Sequence, residues 1–187
     1  MATQLRRKGK ADKLNSMKLR KDGGKPGSPK PQHLLQQLAQ TPEKLFSSAF
    51  RNQYGSLCFR YREVDGEIEI LVITSRESGR WIVPKGWPMR GKTPHEAAAI
   101  EAWEEAGVRG KVRKVPVGRY TYLKELADGK IVPCVVDLFQ VEVKEVKSAF
   151  KEQGQRRIEW VSPDEAARRV REVELKSLLV NFKPQRK

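Results

Sequence analysis

Three glutamates, Glu101, Glu104 and Glu105, lie within the short stretch "EAWEEAG". On a helix, positions i, i+3 and i+4 share one face. Pro94 suits a first-turn position and Gly107 suits a stop, so the pattern predicts a helix from Pro94 to Ala106. Ala99, Ala102, Trp103 and Ala106 fall on the other side and are the expected core face. Like charges at this spacing repel by a few tenths of a kcal/mol each. Glu104 and Glu105 also lie near the helix C-terminus, where the macrodipole disfavours anions. The arrangement makes sense if a cation offsets it. Hard oxygen donors without a His or Cys partner point to Mg²⁺ or Mn²⁺. On the helix alone, a solvated acidic face is the other reading.

The loop ahead of the helix adds a second signal. "PKGWPMRGKTP" carries Gly86 and Gly91 among Pro84, Pro88 and Pro94. Glycine lets the backbone approach a metal or a phosphate closely. A glycine-rich loop feeding an acidic helix suits phosphate chemistry through a metal.

Strands must position this loop and helix. "YGSLCFRYR" and "EIEILVITS" are β-rich runs joined by an Asp65-Gly66 hairpin signal. "RWIVP" reads as a short third strand. "KVRKVPVGRYTYL" and "IVPCVVDLFQVEV" read as a second pair, linked through another Asp-Gly. "RIEWVSP" is a short strand, and Ser162 then caps a last helix over "PDEAARRVREVELKSLLVNF", with Glu165 placed for a capping box. Strands interrupted by one helix and closed by another give a mixed α/β domain.

The chain has 187 residues and a net charge of +15, with 38% apolar and 33% charged residues. That apolar content is low for a fully packed chain of this length, which implies a normal core diluted by polar tails. Residues 1–40 supply eight of the fifteen net positive charges and contain the linker-like "DGGKPGSPKPQ". This stretch is read as a disordered basic arm, with 41–187 as the folded domain. A nucleic-acid-binding arm and an anionic-surface tether are the functional alternatives. No aromatic residue lies among the arm's charges, so a nucleic-acid contact there would be electrostatic. "HLLQQLAQTPEKLFSS" holds a short helical pattern. Two histidines and two cysteines, Cys58 and Cys134, are too few for a zinc site, and both cysteines sit in apolar runs expected to be buried and reduced. No apolar stretch approaches a membrane span. "MATQLRRKGK" lacks the apolar core of a secretory signal, so the expectation is a cytoplasmic protein.

The segment Gly86–Val108 resembles the Nudix box: Gly, five residues, Glu, seven residues, Arg-Glu, an aliphatic residue, any residue, Glu-Glu, any residue, Gly and an aliphatic residue. Without a gap, Gly86 takes the first glycine, Glu101 the Glu of Arg-Glu, Glu104 and Glu105 the Glu-Glu pair, Gly107 the last glycine and Val108 the final aliphatic position. Two positions depart: Lys92 stands where the family has its first Glu, and Ile100 where it has Arg. Both members of a charge pair are gone together, so no charge is stranded.

The resemblance implies the Nudix α/β/α sandwich with a mixed β-sheet, a Nudix-box helix and a C-terminal helix. It also implies metal-dependent hydrolysis of a pyrophosphate bond. Glu101, Glu104 and Glu105 are then the catalytic metal ligands, with the Gly86 carbonyl and Glu152 as further candidates. The strand and box segments look most like the subgroup acting on diphosphoinositol polyphosphates and dinucleoside polyphosphates. Such substrates need cations. Arg51, Arg60, Arg76, Arg80, Lys85 and Arg90 are candidates, with Arg51, Arg76 and Lys85 taken as the substrate-binding set. An RNA 5′-end pyrophosphohydrolase and a non-catalytic binding module are the competing readings.

Overall fold

The computed structural model describes residues 50–185. The basic arm, the domain boundary at residue 41 and the helical pattern before residue 49 lie outside the described residues. Eight strands and three helices follow in the order β1 (Arg51–Tyr61), β2 (Ile68–Thr74), β3 (Trp81–Ile82), β4 (Lys85–Gly86), α1 (Pro94–Ala106), β5 (Val108–Val112), β6 (Gly118–Glu125), β7 (Ile131–Val146), β8 (Ile158–Val161), α2 (Pro163–Arg169) and α3 (Val173–Val180).

Alternation in β1 and β2 builds the layers, because successive strand residues point to opposite faces. Leu57, Phe59, Ile70 and Val72 pack with Ala166, Leu175, Leu179 and Phe182 under α2 and α3. Cys58, Leu71 and Ile73 pack with Ala102, Ala106 and Val108 under α1. Helices therefore cover both faces of a mixed sheet, and β1, flanked by strands and covered on both faces, is buried from Gly55 to Phe59. β1 runs parallel to β7 from Arg51↔Cys134 to Phe59↔Glu142, and antiparallel to β2 and to β4. Both cysteines are free thiols in buried positions, as expected. No helix among the described residues is long and apolar enough to cross a membrane.

Two expected elements divide. The run 111–123 is not one strand: β5 pairs with the C-terminal half of β7 and β6 with its N-terminal half. Pro116, between them, has no N–H to donate to the ladder. The last helix also breaks. Val170 turns extended (φ −76°, ψ 163°) and is buried, and Glu172 then starts α3 while pairing with Arg80 at 2.7 Å. At α2, Ser162 Oγ accepts the Glu165 N–H at 3.3 Å, but the Glu165 carboxylate accepts from Arg168 and Arg169 instead of closing a capping box.

Candidate active site

α1 begins and ends as its sequence predicts. Gly107 adopts a left-handed φ of 67° at the C-terminus. At the start, the Glu96 carboxylate accepts both the Thr93 N–H and the Thr93 hydroxyl at 2.8 Å. The core face differs from expectation. Ala97, Ala98, Ala102 and Ala106 are buried, together with Glu105, whereas Ala99 and Trp103 are only half-buried. One of the three carboxylates is therefore turned into the protein rather than into water.

The loop before α1 is held by backbone pairing to β1 and by contacts to α1. β4 pairs with β1 through Tyr54↔Gly86 and Gly55↔Lys85, and the Ser56 N–H donates to the Pro84 carbonyl at 2.9 Å. Ser56 Oγ donates to the Ala98 carbonyl at 2.7 Å in the interior, tying β1 to α1. The Lys85 N–H donates to Glu105 Oε2 at 2.9 Å. Lys92 is exposed, and Ile100 is half-buried.

Gly86 lies against Glu101. A Cβ built on it would fall 1.8 Å from Glu101 Oε1, so only glycine leaves room for that carboxylate. Burial, then Glu105, Glu104 and Glu152, push the Glu101 carboxyl up to about 7. Glu105 is also raised, because burial outweighs Arg156 and Lys85. Burial lowers the half-buried Lys85 ammonium to about 8, with Glu105 acting in the other direction.

The segment between β7 and β8 closes the site. The Glu152 N–H donates to the Glu104 carbonyl at 3.0 Å. Lys151 Nζ pairs with Glu104 at 2.6 Å. Arg156, almost fully buried, pairs with Glu105, donates to Glu152 at 2.8 Å and donates to the Thr74 carbonyl at 2.9 Å. Arg76 pairs with Glu152 at 3.2 Å.

A cleft of about 460 Å³ gathers Gly86, Glu101, Glu104, Glu105, Glu152, Arg76 and Lys85 on one wall system with Gln53, Lys124, Lys151 and Arg156. Arg51 is not a lining residue. It is exposed at the start of β1, with its guanidinium 6.0 Å from the Trp87 ring centroid. Arg60 is drawn to Glu69 and Arg80 to Glu172, which removes both from the cleft's free cations. Lys151 and Arg156 were missed by the sequence reading, although their loop had been singled out for Glu152. The signal available there was charge alternation, "KEQGQRR", with Glu152 and Arg156 at i, i+4.

The donor set is all oxygen, and the Glu101 carboxylate feels the charge of Glu105, Glu104 and Glu152, which suits a divalent cation. Among the described residues no three acidic or His/Cys side chains converge on one point. Glu104 and Glu105 are instead aimed at Lys151 and Arg156.

The family model described as NUDIX domain matches residues 51–180. The chain belongs to the NUDIX domain family. This family generally uses divalent metal ions. The chain is 30% identical over 125 residues to Nudix hydrolase 13, mitochondrial, of Arabidopsis thaliana, covering 64% of this chain and 62% of that protein. It is 36% identical over 117 residues to diphosphoinositol polyphosphate phosphohydrolase 2 of Rattus norvegicus, covering 63% and 61%. The chain thus spans about three-fifths of these relatives' length. The solved C. elegans Ap4A hydrolase shares the fold, at a TM-score of 0.51 and 22% identity over 70% of this chain and 94% of that one.

Proposed function

We propose that this NUDIX chain is a metal-dependent pyrophosphohydrolase acting on a polyphosphorylated small molecule, a dinucleoside polyphosphate or a diphosphoinositol polyphosphate. One observation carries the reading: Glu101, Glu104, Glu105 and Glu152 share a cleft with Lys85 and Arg76, beside a glycine that leaves no room for a Cβ. Glu101, Glu104 and Glu105, with the Gly86 carbonyl and Glu152, are the proposed ligands of Mg²⁺ or Mn²⁺. That ion supplies neutralisation of phosphate charge and acidification of the attacking water. Glu101, pressed against Gly86 in the cleft, is suited to hold the attacking water as well. Lys85 and Arg76 donate to phosphate oxygens. Arg156 holds Glu105 and Glu152 in place.

Hydrolysis assays with either metal test this, using diadenosine polyphosphates, a diphosphoinositol phosphate and 5′-triphosphorylated RNA, with wild type and Glu105→Gln. Turnover of a small polyphosphate that Glu105→Gln abolishes supports the proposal. Turnover of none supports a binding module, and a preference for RNA supports an RNA 5′-end enzyme. The basic arm carries no part of the proposed chemistry. The cytoplasmic assignment remains a proposal beside a relative named as mitochondrial, and fractionation of cells expressing the tagged chain decides it.

A further inference from the structure

The cleft has a second chemical character that the phosphate reading does not use. Trp87, Pro88 and Met89 are consecutive apolar residues in an otherwise highly charged lining. Trp87 follows the glycine that cradles Glu101 and lines the same cleft as the metal-ligand candidates. It is 36% exposed, the largest side chain among the exposed hydrophobics of the described residues. The β1–β4 pairing brings the start of β1 alongside it, and the Arg51 guanidinium lies 6.0 Å from its ring centroid. A flat indole lining the cleft, with a planar guanidinium beside it, is suited to stack a heteroaromatic ring.

The charge of the lining points the same way. Five Lys and Arg line the cleft with five Glu, four of which are the proposed metal ligands. Three of the cations, Arg76, Lys151 and Arg156, already pair with carboxylates. Lys85 and Lys124 form no ion pair among the described residues. A substrate carrying phosphates all around a polar ring needs a cationic excess on several sides and has no face to offer an indole. A linear polyphosphate ending in a nucleobase needs cations along one track and an aromatic surface at its end.

Resting on the pyrophosphohydrolase reading for the phosphate track, we infer that Trp87, backed by Arg51, is a nucleobase-stacking subsite. The subsite selects nucleoside polyphosphates over diphosphoinositol polyphosphates. Trp87 acts as a specificity residue, touching the base and not the reacting phosphate.

Titration calorimetry in a magnesium buffer tests the subsite without turnover. The probes are a methylene-bridged, non-hydrolysable dinucleoside polyphosphate and inorganic tripolyphosphate. Trp87→Ala is expected to weaken the nucleotide analogue about tenfold or more and to leave tripolyphosphate unchanged. Trp87→Phe, which keeps a flat ring, is expected to stay within about threefold of wild type for both. Equal weakening of both probes by Trp87→Ala, weakening of neither, or a Trp87→Phe loss as large as that of Trp87→Ala overturns the subsite. So does tighter wild-type binding of a diphosphoinositol polyphosphate than of the nucleotide analogue. If wild type hydrolyses nothing while Trp87→Ala selectively loses the nucleotide, the hydrolase reading falls and the subsite stands.

Discussion

The buried guanidinium of Arg156 pairs with the buried carboxylate of Glu105 across 51 residues of sequence, and this contact joins the segment before β8 to α1. Arg156 also reaches Glu152 and the Thr74 carbonyl, so one side chain ties α1, β2 and its own loop together. Besides Arg156, Glu105 is held by the Lys85 N–H, so both of its anchors come from outside α1.

Removing Arg156 leaves a buried carboxylate with the Lys85 N–H as its remaining donor. Arg156→Met is therefore expected to lower unfolding stability by about 3 kcal/mol, measured by urea denaturation. Adding Glu105→Gln to it is expected to recover part of the loss, because the stranded charge is gone. Additive single losses would mean that the pair is not coupled.

Gly86→Ala tests the cradle around Glu101. The new methyl must displace that carboxylate, because the built Cβ falls 1.8 Å from its oxygen. β4 keeps its pairing with β1, so the fold is expected to persist by circular dichroism. Metal-dependent turnover is expected to fall about a hundredfold, the scale of an ångström-sized misplacement. A variant with wild-type turnover would remove Gly86 and Glu101 from the chemistry.

What the sequence made readable was local. The spacing of Glu101, Glu104 and Glu105, the stop at Gly107 and the alternation through Leu57, Cys58 and Phe59 all follow from one element's own periodicity. Partners far along the chain were not readable. Nothing in the helix announces Arg156 or Lys151, and the burial of Val170 that breaks the last helix depends on the core it enters. The turn of Glu105 toward the interior belongs to the same class, since it is set by the Lys85 amide and Arg156. The break at Pro116 is legible in the sequence, because proline has no N–H for a ladder.

The Glu101 carboxyl gives a pH dependence with a definite sign. Its pKa is raised in the folded state to about 7, above its ordinary value of 4.5. Between those values the folded protein holds a proton that the unfolded chain releases, so this group's contribution to stability falls as pH rises through that window. A divalent cation replaces the proton and should reverse the loss. Magnesium or manganese is expected to raise the thermal midpoint more at about pH 8 than at about pH 5.5. Equal shifts at both would show that the ion binds elsewhere.

Lys151 pairs with Glu104 from an exposed position. An exposed pair contributes little to folding, so Lys151→Ala is expected to leave the unfolding midpoint unchanged. It is also expected to free Glu104 and remove a positive charge that competes with the ion. Direct manganese titration, without substrate, should then show tighter binding in Lys151→Ala than in wild type, and in Glu104→Gln a loss that Lys151→Ala does not repair. Weaker binding in Lys151→Ala would instead make the lysine a support that aims Glu104 at the ion.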